Sequence, residues 1–109
     1  MGTDQCNQPA DDMDFVATRT LEAHHQDGTT GTIRVEIGRP ERCTDEGDYR
    51  CTYRISGAGP SIRQRSIFGV DGLQALLLCI KAAGVELSIV QQKCRITWPG
   101  TDHEGSLLE

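Results

Sequence analysis

A single long apolar stretch, residues 68–87 (FGVDGLQALLLCIKAAGVEL), constrains most strongly what this chain can fold into. Asp71 is a good helix N-cap, and Gln74 three residues later completes a capping-box pattern. Apolar residues then recur at helical spacing. We predict a helix that begins after Asp71 and continues past Gly84, although an interior glycine destabilises a helix by about 1 kcal/mol.

The predicted helix has two apolar faces where one would suffice. The face expected to pack on a sheet consists of Leu73, Leu76, Leu77, Ile80, Ala83, Gly84 and Leu87. Nearly opposite, at about 100° per residue, lies a second stripe formed by Leu78, Ala82, Val85 and Ile89. Exposed apolar sets of this kind mark interfaces, so we interpret the second stripe as a contact with a second copy of the chain or with another protein. The alternative is that the Phe15 region or the C-terminal tail covers it.

The rest of the body alternates apolar and polar residues as β-strands do. This strand patterning covers residues 15–25, 32–38, 49–55, 61–68 and 93–98. Asp27-Gly28 supplies a hairpin turn between the first two strands. No helical segment separates the first four strands, so the parallel-strand pattern is absent. We predict an α+β fold, an antiparallel β-meander of four to five strands with one long C-terminal helix packed on one face.

Length and charge divide the chain into a body and two tails. A chain of 109 residues matches one domain. We expect residues 1–14 and 100–109 to be disordered, because they are polar and show no period, and residues 15–99 to form the single domain. The tails carry seven carboxylates and no Lys or Arg, whereas the body has eleven basic and nine acidic side chains. The net charge of −5 argues against a general nucleic-acid binder.

Cysteine usage indicates the compartment. The five cysteines are an odd number and include no C-x-x-C pair. No N-terminal apolar segment resembles a signal peptide, and we expect no segment long enough to cross a membrane. Reduced thiols in a cytoplasmic protein, without a membrane partner, are the simplest interpretation.

The sheet face turned away from the helix is predicted to be rich in arginine. The residues proposed there as an anion site are Arg34, Arg50, Arg54, Arg63 and Arg65. Arginine makes bidentate contacts to oxyanions, so the alternative function is binding of a phosphate, an acidic peptide or a nucleic acid. The simpler interpretation is a solvated face of cross-strand Arg–Glu and Arg–Thr pairs. Both tyrosines fall on the core-facing side, so the aromatic platform of open-sheet nucleic-acid readers is missing, which argues against a nucleic acid as the partner.

Catalysis and metal binding have no supporting pattern. His24 and His25 are sequential and point to opposite sides of a strand, and no third ligand stands at a zinc-like spacing. Cys51 and Cys94 share the inward phase, and we interpret them as small core residues rather than a redox pair. The glycine-containing turns match no phosphate-binding motif. We therefore predict no enzyme activity, no metal, no cofactor and no identifiable small-molecule ligand.

Three segments carry a family resemblance. VEIGRP (35–40), YRCTYRI (49–55) and FGVDGLQALLL (68–78) together resemble a family of small uncharacterised bacterial proteins. The resemblance covers roughly residues 19–99. It implies a meander of strands, a turn into a helix and a strand ending near a tryptophan, with no assigned activity and no site residues. Gly72 departs from the family pattern, where Ala is usual, and would loosen the first helical turn.

These observations together predict a small non-enzymatic interaction module. It would form a homodimer, or bind another protein, through the second stripe. Binding of an anion on the arginine-rich face is the alternative.

Overall fold

The computed structural model describes residues 15–43, 48–57 and 62–105. Six strands and one helix follow one another along the chain. Their bounds are β1 Phe15–His24, β2 Thr30–Gly38, β3 Glu41–Arg42, β4 Tyr49–Ser56, β5 Arg63–Gly69, α1 Gly72–Gln91 and β6 Arg95–Thr97. The predicted N-terminal tail, residues 1–14, lies outside the described residues.

All described strand pairs belong to one antiparallel sheet, which confirms the predicted α+β fold. β1 pairs with β2, β2 with β4, and β4 with β5, so these four strands form the predicted meander. β6 returns to pair with β1 on the opposite side, and the short β3 continues the line of β2 along β4. Across the sheet the order is therefore β5, β4, β2 with β3, β1 and β6.

The β1–β2 turn forms where the sequence predicted it. The His25 amide donates to the Thr29 carbonyl, and the Gly28 amide donates to the His25 carbonyl. Asp27 accepts hydrogen bonds from the Thr29 amide and hydroxyl, which lower the pKa of its carboxyl group. Gly28 has a φ of 90°, a value that glycine adopts without strain.

Helix α1 begins as the capping pattern predicts. The Asp71 carboxylate accepts a hydrogen bond of 2.8 Å from the Gln74 amide. The Gln74 side chain in turn accepts from the Val70 amide at 2.8 Å, one residue before the usual capping-box donor. The helix then continues through Gly84 to Gln91, as predicted.

The expectation that no segment is long enough to cross a membrane is wrong for α1. With 20 residues and a mean hydropathy of 1.8 in its most apolar window, α1 is long and apolar enough to cross a bilayer. About 28% of that window is buried inside the protein. A helix packed on a core passes the same test, so length and composition alone do not assign α1 to a membrane.

The packed face of α1 differs from the predicted one by roughly a quarter of a turn. Its buried residues are Ala75, Cys79, Ala83, Leu87 and Val90. Of the predicted face, Ala83 and Leu87 are buried and Leu76 and Ile80 are half-buried, whereas Leu73 and Leu77 are exposed. The reason is size: three small side chains, each one turn after the last, allow the helix backbone to approach the sheet closely.

Gly84 does not bring the backbone of α1 close to the sheet, although it belongs to the face that was expected to pack there. A Cβ atom at this position would have no neighbour within 4 Å. We therefore expect Gly84→Ala to raise the free energy of unfolding by about 1 kcal/mol, because alanine restricts the unfolded chain and favours the helix. Chemical denaturation measures the change. Gly69→Ala is the control and should destabilise, because its Cβ would lie 2.6 Å from the Ala75 nitrogen.

The C-terminal segment packs against the sheet as far as residue 105, contrary to the prediction of a disordered tail from residue 100. Thr97 and Glu104 form an antiparallel bridge, and the Gly105 amide donates to the Ile96 carbonyl. Gly105 is buried, and its carbonyl accepts from the Gln91 side chain. Residues 103–105 thus cover the outer edge of β6.

Candidate functional site

The second stripe lies along the flank of α1 on the β5 side of the molecule. Leu78, Val85 and Ile89 have 40%, 58% and 43% of their surface exposed. Ala82 is half-buried against the core. The stripe therefore exposes large aliphatic side chains on a helix whose other side is already packed, which is unusual for the solvent side of a helix.

Among the described residues, neither the Phe15 region nor the C-terminal segment lies on the second stripe. The Phe15 ring stacks with Arg54, whose guanidinium carbon lies 4.9 Å from the ring centroid on the sheet face opposite to α1. Residues 100–105 pack near Leu21 and Gln91. In the part of the chain that the structure describes, the stripe is thus uncovered.

An open cleft separates the second stripe from strand β5. Its volume is about 290 Å³. The apolar wall consists of Ala82, Val85 and Ile89, and the polar wall consists of Arg65 and Glu86. Side chains of α1 and of β5 therefore line the same cleft.

A polar cluster between β4, β5 and α1 adjoins this cleft through Glu86. The Tyr53 hydroxyl donates a hydrogen bond of 2.5 Å to Glu86, and the Arg63 guanidinium donates to the other carboxylate oxygen at 2.9 Å. Burial, followed by the hydrogen bond to Glu86, raises the pKa of Tyr53 to about 12. The hydrogen bonds from Tyr53 and Arg63 lower the pKa of Glu86. This cluster anchors the C-terminal half of α1 to the sheet.

The contribution of the Glu86 carboxylate to the free energy of unfolding is expected to depend on pH. Because the pKa of Glu86 is below its ordinary value of 4.5 in the folded chain, its protonation favours unfolding. Its contribution is complete above pH 4.5 and is lost as the pH falls through the lowered pKa. We expect the difference in unfolding free energy between wild type and Glu86→Gln to shrink in acid, measured by denaturation from about pH 7 to about pH 3. A difference that stays constant over this range would contradict the described cluster.

The prediction that Arg63 and Arg65 lie on the sheet face turned away from α1 is wrong, and for this reason the sequence did not indicate the cluster. Arg63, Arg65 and Ile67 share one side of the strand, opposite Ile55, Tyr53 and Cys51 of β4. Ile67 packs against the core, so the two arginines also face α1. The signal that indicates the correct side is Ile67, because its apolar side chain packs inward and Arg65 and Arg63 lie two and four residues before it.

The predicted anion site is therefore divided between the two faces of the sheet. Arg63 and Arg65 lie on the helix side, and only Arg34, Arg50 and Arg54 remain on the outer face. The Arg50 guanidinium donates to Glu41 at 2.9 Å. Arg54 stands opposite Glu36 and donates to Gln64 at 3.0 Å. Carboxylate or amide side chains thus already lie beside Arg50 and Arg54.

The other flank of α1 also exposes leucine side chains. Leu73 and Leu77 are 66% and 57% exposed. Beside them, a groove of about 160 Å³ runs between Ile80 and strands β1 and β2. This flank lies over the middle of the sheet rather than its edge.

Strand β5 leaves one edge of the sheet open. It pairs with β4, and no other described strand pairs with its second side. We call this side the open edge of β5. Open edges carry unpaired backbone donors and acceptors that pair readily with another strand.

The remaining candidates for chemistry lie in structural positions. His24 contacts the Thr97 hydroxyl at 2.9 Å, and Cys51 and Cys94 are buried in the core, as predicted for the two cysteines. Among the described residues no group of three His, Cys, Asp or Glu side chains could hold a metal ion. Each buried side-chain polar atom of the described segments has a hydrogen-bond partner.

Fold and surface together define an α+β protein with an open antiparallel sheet, a long helix and an apolar flank that the described residues leave uncovered. The chain belongs to the family described as Domain of unknown function (DUF6968), whose model matches residues 17–107. The expected membership in a family without assigned activity is confirmed, and the match extends beyond the predicted residues 19–99. Neither a curated protein nor a solved structure matches the chain.

Proposed function

We propose that this protein is a small non-enzymatic interaction module of the cytoplasm that self-associates through the second stripe. The main support for this proposal is the exposure of Leu78, Val85 and Ile89 on a helix already packed on its other side. Aliphatic side chains gain free energy when another surface removes them from water, by about 25 cal/mol per Å². Because the described residues leave this apolar flank exposed to water, we infer that a second chain buries it.

The proposal is tested by placing a charge in the stripe. Val85→Glu should convert a dimer into a folded monomer, because a carboxylate buried against apolar side chains loses its hydration. We expect the dissociation constant to rise by at least about 100-fold, or about 2.7 kcal/mol. Size-exclusion chromatography with light scattering measures the mass, and circular dichroism checks the fold.

Leu77→Glu is the matched control. Leu77 is 57% exposed and Val85 is 58% exposed, but they lie on opposite flanks of α1. The control should leave the dimer intact. Equal loss of the dimer in both variants would show that general solubility, rather than the second stripe, governs association.

The alternative, binding of an anionic ligand on the outer face, draws less support from the geometry. It requires Arg34, Arg50 and Arg54 to act without Arg63 and Arg65. Arg50 is engaged by Glu41 and Arg54 by Gln64 and Phe15. Two of these three arginines already have partners, an arrangement that resembles the cross-strand pairing of a solvated sheet more than a prepared anion site.

A further inference from the structure

We infer that two copies of this chain pair through the open edge of β5, around a two-fold axis close to Ser66. The inference rests on the proposed self-association and names its partner surface. Each five-strand-wide sheet would continue into the other, and the two copies of α1 would pack side by side on the same face. Three features of the described residues carry this arrangement.

The first feature is the position of α1 across the sheet. The helix packs on β4 and β5, so its axis lies between these two strands. Neighbouring strands are about 4.8 Å apart. If two copies of β5 pair, the two-fold axis lies about 2.4 Å outside β5 and therefore about 5 Å from the helix axis. The two helices then lie about 10 Å apart, at the upper end of the usual packing distance of about 8–10 Å.

The second feature is the direction of the second stripe. Val85 and Ile89 share the cleft with Arg65, so the stripe faces across β5 toward the open edge. The two-fold axis makes the paired helices antiparallel and brings the stripe of one copy to the stripe of the other. Edge pairing and helix packing are therefore satisfied by the same axis.

The third feature is the charge pattern of β5. In a two-fold antiparallel pair, residues at equal distances on either side of the axis stand opposite each other. An axis at Gln64 would set Arg63 against Arg65 of the other copy, and an axis at either arginine would set that residue against itself. Like charges directly opposite are destabilising.

An axis at Ser66 avoids every such conflict. Ser66 is the middle residue of Arg63–Gly69, so the two strands overlap along their whole length. Arg63 then stands opposite Gly69, Arg65 opposite Ile67 and Gln64 opposite Phe68. Phe68, which is 53% exposed, also gains a cross-strand neighbour.

The test is a disulfide formed across the axis. In a background of Cys6→Ser, which removes the cysteine outside the described residues, Ser66→Cys is oxidised and run on a non-reducing gel. Residues opposite each other in antiparallel strands have Cα atoms about 4.5–5.5 Å apart, within the range for a disulfide. The other cysteines are buried in the core. We expect a covalent dimer as the main band.

Two matched controls fix the register. Gln64→Cys and Phe68→Cys place the thiol on the same sheet face but two residues from the axis, so identical thiols are about 14 Å apart and should remain monomeric on the gel. The double variant Gln64→Cys with Phe68→Cys should cross-link again. Light scattering on each reduced variant reports the oligomeric state separately.

The outcomes distinguish this inference from the proposed function. A reduced dimer that yields no cross-link at Ser66 overturns the edge pairing and leaves self-association standing. A cross-link through Gln64 alone overturns the register. A reduced chain that stays monomeric at all concentrations overturns both proposals and leaves the second stripe to a different protein or a lipid surface.

Discussion

Replacing Gly57 by alanine is expected to lower the free energy of unfolding by at least about 3 kcal/mol. Gly57 follows β4 with a φ of 88°, a region that other residues occupy only with strain. A Cβ atom there would lie 1.9 Å from the Thr32 carbonyl oxygen. Since both contacting groups are backbone, no side-chain rotation relieves the clash, and the end of β4 must move away from β2.

The variant Gly28→Ala measures the cost of the positive φ without a steric clash of the new Cβ atom. Gly28 has nearly the same φ, 90°, but a Cβ atom there would meet nothing within 4 Å. We expect this variant to lose only about 1 kcal/mol, from the backbone conformation alone. Urea denaturation of both variants measures the difference. Equal losses would contradict the close approach of the chain at Gly57 to β2.

Leu87→Ala is expected to destabilise the protein by about 2–5 kcal/mol. Leu87 is 1% exposed and belongs to the core between α1 and the sheet. Truncation removes buried methyl groups and leaves a cavity that the surrounding side chains fill only in part. Thermal or chemical denaturation measures the change.

Leu77→Ala is the same substitution on the same helix, with an expected effect within about 0.5 kcal/mol in the monomer. Leu77 is 57% exposed, although the hydrophobic pattern had placed both leucines on one packed face. The pair therefore tests the rotation of α1. If Leu77→Ala lost as much stability as Leu87→Ala, the predicted face would be the correct one.

Local sequence signals predicted most of the fold. Strict alternation in TIRVEIG and YRCTYRI gave β2 and β4, and Asp27-Gly28 gave the turn. Asp71 and Gln74 gave the start of α1 through two side-chain hydrogen bonds. Each of these signals depends on neighbours in the sequence, so it is readable without the tertiary structure.

The rotation of α1 could not be read in the same way. A helix that is apolar over most of its circumference gives no unique hydrophobic face. The face that packs on the sheet is determined by the row Ala75, Cys79 and Ala83, because these small side chains bring the helix closest to the sheet. A prediction from hydrophobicity alone favours large aliphatic residues such as Leu73 and Leu77 over this row of small ones.

The candidate site was predicted in part. The residues of the second stripe are exposed apart from Ala82, and their role in self-association stays a prediction. The division of the five arginines was missed, because β5 contains a single inward apolar residue, Ile67, to set its phase. The pairing of Tyr53 with Glu86 joins residues 33 positions apart and has no local signal.

The mass of the wild-type chain tests the central claim most directly. Sedimentation equilibrium over a range of concentrations should give twice the chain mass of 12.0 kDa, with dissociation on dilution. Such a result would support an interface formed by two copies. A mass of 12.0 kDa at every concentration, from a correctly folded sample, would contradict self-association through the second stripe.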